Sequence, residues 1–146
     1  MSLNDLAFVC ACIGLFVIGG CRDSGEFEIA SATVRAPVVG MDKTAAYAAL
    51  HNGTEAAVVL VGASAPGVRA IEFHSISNDG GMLRMRRLQS IALEPGETRR
   101  LESGSDHLML FGVGVLGDEL AITFASATGD TFTHEFSVVH LTATPD

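Results

Sequence analysis

From Phe27 onward the chain breaks into runs of seven to eleven residues in which apolar and polar side chains alternate: FEIASATVRA, AAYAALHN, EAAVVLVGAS, VRAIEFHSI, MLRMRRL, DHLMLFGV, ELAITFASA and TFTHEFSVVHL. Period-two alternation puts successive side chains on opposite faces, so each run buries one face of a strand and wets the other. Between the runs lie HNGTE, SAPG, SNDGG, LEPGE, SGSD and ATGD, which carry the Gly, Pro, Asn and Asp that sharp reversals need. Seven or eight short strands at this spacing predict an all-β antiparallel sandwich or small Greek-key barrel. Residues 41–49 could instead hold a helical turn. With 146 residues, 16 Gly and no Trp, one core is expected and a helical bundle is disfavoured.

The first twenty residues do not follow this pattern. Leu6–Ile18 is an unbroken apolar run of thirteen residues, short of the roughly 20 that a membrane-spanning helix needs, and it reads as the h-region of an export signal. Gly19-Gly20-Cys21 follows, so Ile18–Cys21 resembles the lipobox of bacterial lipoproteins, whose cysteine is acylated. The n-region Met1–Asp5 departs from an export signal in having no Lys or Arg. The expected organisation is a signal over residues 1–20, a tether over 21–27 with lipidated Cys21, and one domain over 28–146. Cleavage before Cys21 removes Cys10 and Cys12, leaving no pair of thiols for a disulfide or a thiolate metal site. The expected location is the periplasm, on a membrane.

The net charge of −8, from 9 basic and 17 acidic residues, excludes a nucleic-acid-wrapping surface. No Ser/His/Asp set or paired carboxylates at a useful spacing argue for hydrolysis, and no enzyme is expected. The Gly-rich FGVGVLG lacks the Lys and the helix of a phosphate loop. The informative residues are His and Met. If Asp79-Gly80 forms the two-residue loop of the hairpin over Phe73–Arg87, His74 stands opposite Met85 with Cβ atoms roughly 4.5–5.5 Å apart. A three-residue loop would pair His74 with Arg86 and turn Met85 away. His107 and Met109, two apart on a strand, share a face. Two imidazoles and two thioethers would form a soft, neutral donor set suited to Cu(I) rather than to Zn²⁺, Mg²⁺ or Ca²⁺, with no carboxylate required. Each residue alone reads as surface histidine or core methionine; the joint spacing is what carries the metal reading. Met82 reads as a packing or loop-exposed residue rather than an auxiliary donor, His51 as a turn residue, and His134 and His140 as surface residues. Arg84, Arg86 and Arg87 read either as a solvated strand face or as a docking patch for an acidic partner.

The spacing His74-x10-Met85-x21-His107-x-Met109 resembles the periplasmic copper(I) chaperones of the PCuAC type, and the resemblance extends through AAYAALHNGTE, GGMLRMRRLQSIALEPGETRRL and ELAITFASATGDTFTHEF, about residues 29 to 140. Family members often carry Met after AAY and an acidic residue after the first ligand; Ala48 and Ser75 stand there in this chain. The resemblance implies a cupredoxin-like fold and one Cu(I) on His74, Met85, His107 and Met109. It also implies delivery toward the copper A site in subunit II of cytochrome c oxidase, alongside a Sco-type protein. The competing expectations are copper sequestration for tolerance and a metal-free β-sandwich interaction module.

Overall fold

The computed structural model describes residues 25–140; the leader, Cys21 with its proposed acylation, and most of the tether lie outside them. Ten strands follow in order: β1 (Phe27–Arg35), β2 (Lys43–Asn52), β3 (Val58–Ser64), β4 (Val68–Asp79), β5 (Met82–Leu88), β6 (Ile91–Leu93), β7 (Thr98–Leu101), β8 (His107–Val113), β9 (Glu119–Ser126) and β10 (Thr131–Val139). Every expected run forms a strand, and residues 43–49 belong to β2 rather than to a helical turn. The short β6 and β7 are additions.

The order β4-β8-β2-β1-β10-β9-β3 closes on itself where Ala63 of β3 meets Ile71 of β4, giving a seven-stranded barrel. β5 extends from β4, β6 from β3, and β7 continues the line of β8 along β2. All pairs are antiparallel except β1 with β10, which run parallel. Neighbours distant in sequence give the barrel its Greek-key character. Strict alternation sends Ala46, Ala48 and Leu50 of β2 and Leu120, Ile122 and Phe124 of β9 inward. Phe124 anchors this interior, its ring stacked on Phe73 at 6.4 Å between centroids and also packed against Phe136. A buried polar anchor holds the loop after β2: Asn52, wholly enclosed, donates from Nδ2 to the carbonyls of Ala56 and Leu93 and accepts from Thr54.

The β4–β5 hairpin departs from the expected register. Its loop is Gly80-Gly81, not Asp79-Gly80, and His74 pairs with Arg87 while Met85 pairs with Ile76. Both glycines have positive φ, +61° and +87°, the backbone of a type I′ turn, which matches strand twist and is strained for other residues. The Asn78 side chain accepts from the Gly81 N–H and closes the turn. The shift is two residues, so the parity of side chains is unchanged and Met85 still shares a face with His74.

Candidate metal centre

The outward faces of β4 and β8 carry the site. His74 stands directly opposite His107, and Glu72 opposite Met109. The two imidazole centroids are 5.9 Å apart with rings inclined at 58°, a separation at which one nitrogen of each can converge on a shared ion. Met109 is diagonal to His74 across the pair. Met85 is one strand further out, diagonal to His74 in the β4–β5 pairing and 53% exposed. Diagonal Cα separations are roughly 7–8 Å, within reach of a long thioether. His74, His107 and Met109 are therefore brought together on adjacent strands, and Met85 is placed at their edge.

Hydrogen bonds select one lone pair on each imidazole. His107, almost fully buried, has Nδ1 2.9 Å from the Ser105 carbonyl. A carbonyl can only accept, so Nδ1 carries the proton and Nε2 keeps its lone pair. The tight turn before His107 is pinned by Arg99, which donates from Nε and Nη2 to Asp106. In His74 the roles are reversed. Nε2 lies 2.9 Å from Glu72 Oε2, while Nδ1 is buried and has no hydrogen-bond partner among the described residues. A buried nitrogen without a partner costs free energy unless something fills the position, and a metal ion would do so. Among the described residues no group of three or more His, Cys, Asp and Glu side chains forms a metal site, so an ion on this face would draw on the thioethers as well as the imidazoles. The methionines are available for that. None of Met41, Met82, Met85 and Met109 belongs to the apolar core or is packed against it.

The carboxylate was missed at the sequence level. Glu72 binds His74 and sits 3.3 Å from Arg87 Nη1, the carboxylate–imidazole pairing that orients metal-binding histidines. The hydrogen bond from His74 lowers the Glu72 pKa below its ordinary value, partial burial opposes this, and the Arg87 and His74 charges lower it further. The signal was legible as Glu-x-His, which places both side chains on one strand face. A folded-state pKa below the unfolded one contributes stability that is present above the unfolded value, about 4.3 for Glu, and is lost as pH falls through the lowered one. Glu72→Gln is expected to lower the affinity of the site for a soft ion about tenfold by loosening the His74 ring. Chelator competition checks this, and an affinity within twofold of the parent would assign Glu72 to stability alone.

The three arginines divide between the faces. Arg87 shares the His74 face and is engaged with Glu72, whereas Arg84 and Arg86 pair with Ser77 and Ser75 on the opposite face, Arg84 lying 3.7 Å from Asp79. Met82 pairs with Asp79 and is exposed. His51 is in β2, not in a turn, with Nδ1 2.8 Å from Thr98 Oγ1. His134 packs edge-on against Phe136, and His140 is exposed just beyond β10.

Comparisons with known proteins agree with this architecture. The copper-bound PCuAC domain from PmoF2 superposes with a TM-score of 0.66 over 80% of this chain and 95% of its own, at 20% identity. The Cu(I)-bound form of DR1885 from Deinococcus radiodurans gives 0.62 over 82% of each chain, at 26% identity. The barrel is thus cupredoxin-like, as the PCuAC domains are. A curated relative from Leifsonia xyli subsp. xyli, "Putative lipoprotein Lxx21020", is 26% identical over 114 residues, 75% of this chain and 68% of its own. The family model described as "Putative lipoprotein LpqE-like" matches residues 27–138. That span opens on the first residue of β1 and closes one residue short of the end of β10, so it takes in all but the last residue of the barrel and includes His74, Met85, His107 and Met109: the chain belongs to the LpqE-like family.

Proposed function

We propose that this protein is an extracytoplasmic Cu(I) chaperone that carries one ion on His74, His107, Met109 and Met85, held at the membrane through acylated Cys21. The observation that carries the reading is the buried Nδ1 of His74, which has no partner among the described residues, on a ring that lies 5.9 Å from that of His107 across β4 and β8, with Met109 on the adjoining row. Two neutral nitrogens and two thioethers favour Cu(I) over Cu(II), and methionine cannot close into a disulfide in an oxidising compartment. No blue-copper electron transfer is proposed, because the ligand set has no thiolate. The copper-bound PCuAC domain from PmoF2, the Cu(I)-bound DR1885 and the lipoprotein relative support copper as cargo and a lipid anchor.

Release is by ligand exchange. The exposed Met85 detaches first and opens a coordination position for a donor of the recipient, the copper A site of cytochrome c oxidase subunit II or a Sco-type protein. Arg84 and Arg86, on the far face of β5, can steer an acidic recipient to that edge without competing for copper. Titration with Cu(I) under reducing conditions, followed by X-ray absorption, tests the reading. One equivalent bound with both sulfur and nitrogen neighbours is expected; no uptake, or a shell of oxygen alone, would reject it. Loss of oxidase activity at low copper on deleting the gene separates delivery from sequestration, which predicts unchanged respiration and increased copper sensitivity.

A further inference from the structure

Met41 lies outside the ligand set but beside it. The loop from β1 to β2 reverses at Val39-Gly40, where the Met41 N–H donates to the Val38 carbonyl at 2.8 Å and Gly40 has a φ of +83°, as the third position of a type II turn requires. The turn holds Met41 two residues before Lys43, on the side of β2 where Ala45 pairs with Met109. Met41 and Met109 consequently line one surface hollow of about 210 Å³, together with Val38, Lys43 and Ala45. Met41 also lines a second, larger cleft of about 460 Å³ with Val38, Val39, Val115 and Leu116. Val39 and Val115 are fully exposed there, and Met41 itself is 49% exposed. One thioether thus belongs both to the hollow that holds a proposed copper ligand and to an open apolar cleft.

We propose that Met41 is a transfer ligand for Cu(I), binding the ion in passage from Met109 to an acceptor that approaches from the β2 side of the site, a route separate from the exchange at Met85 on β5; the inference rests on the copper function proposed above. Chemically, a Cu–S bond forms at Met41 Sδ while the bond to an outgoing donor breaks. Copper stays as Cu(I), and the thioether takes up and releases no proton. A weak neutral donor next to the site lowers the barrier to exchange without adding much to resting affinity, because it is used only when another ligand has left. An exposed methionine away from the ligand face would do neither, and Met82, on the face of β5 opposite Met85, provides the comparison.

The test uses protein labelled with ¹³C at the methionine methyl groups, together with Met41→Leu and Met82→Leu. On adding Cu(I), the Met41 methyl signal is expected to shift or broaden along with that of Met109, while that of Met82 stays in place. In stopped-flow transfer to bicinchoninate, Met41→Leu is expected to release copper about fivefold more slowly at an affinity within about twofold of the parent, with Met82→Leu matching the parent. Copper uptake with an unmoved Met41 signal and an unchanged transfer rate would overturn this inference alone. No uptake by any of the proteins would overturn both it and the function on which it rests.

Discussion

Replacing His107 with Asn is expected to lower Cu(I) affinity about a hundredfold or more, equivalent to ~3 kcal/mol of binding, with little change in the unfolding midpoint. Asn is chosen because its amide N–H can take over the bond that Nδ1 makes to the Ser105 carbonyl, so the local backbone stays anchored and only the Nε2 donor is lost. Among the candidate ligands His107 is the most deeply buried, at 4% exposure. An ion there would have few alternative donors, and water could not readily replace the missing nitrogen. Met85, on the outermost strand and half exposed, should matter much less. Competition against a chromophoric Cu(I) chelator measures the difference. An affinity within threefold of the parent would remove His107 from the coordination shell, and a large drop in thermal midpoint would assign it to the fold instead.

The residues that could be placed on a strand face from the sequence, and those that could not, differ for a physical reason. Alternation is a local property, so β9 was legible as a strand, and β2 was too except that its Ala-rich first half also allowed a helical turn, whereas β6 and β7, at three and four residues, are too short to show a period. The parallel β1–β10 pair and the closure at Ala63 and Ile71 are contacts between distant segments that no local pattern encodes. Asn-Asp-Gly-Gly offers two adjacent dipeptides for one tight loop; the positive φ at both Gly80 and Gly81 settles which is used. The resulting two-residue error left Met85 on the ligand face because strand geometry has period two. What the sequence did not disclose was the state of each imidazole. The Ser105 carbonyl and the Glu72 carboxylate determine which nitrogen is free, and both depend on side-chain conformation.

The second large effect lies in the layer beneath the ligands. Phe124 is wholly enclosed and stacks nearly parallel to Phe73, with ring planes 11° apart. Phe73 pairs with Leu108 in the β4–β8 ladder, between His74 and Glu72 on one strand and between His107 and Met109 on the other. The aromatic stack therefore supports the two strands that carry the donors. Phe124→Ala should destabilise the protein by about 3–5 kcal/mol, from lost burial and an unfilled cavity. This is a large share of the ~5–15 kcal/mol by which domains are usually stable. Urea unfolding followed by circular dichroism is the suitable measurement, since the chain has no Trp. The midpoint should fall with the slope unchanged. An ion bound only by the folded state then stabilises it by mass action, by about 2.7 kcal/mol at a free concentration a hundred times the dissociation constant. Cu(I) should consequently restore much of the loss in Phe124→Ala and little of it, about 0.4 kcal/mol or less, once His107→Asn is added. A variant that loses stability but gains nothing from copper, with His107 intact, would show that the stack sets the positions of the donors as well as the stability of the barrel.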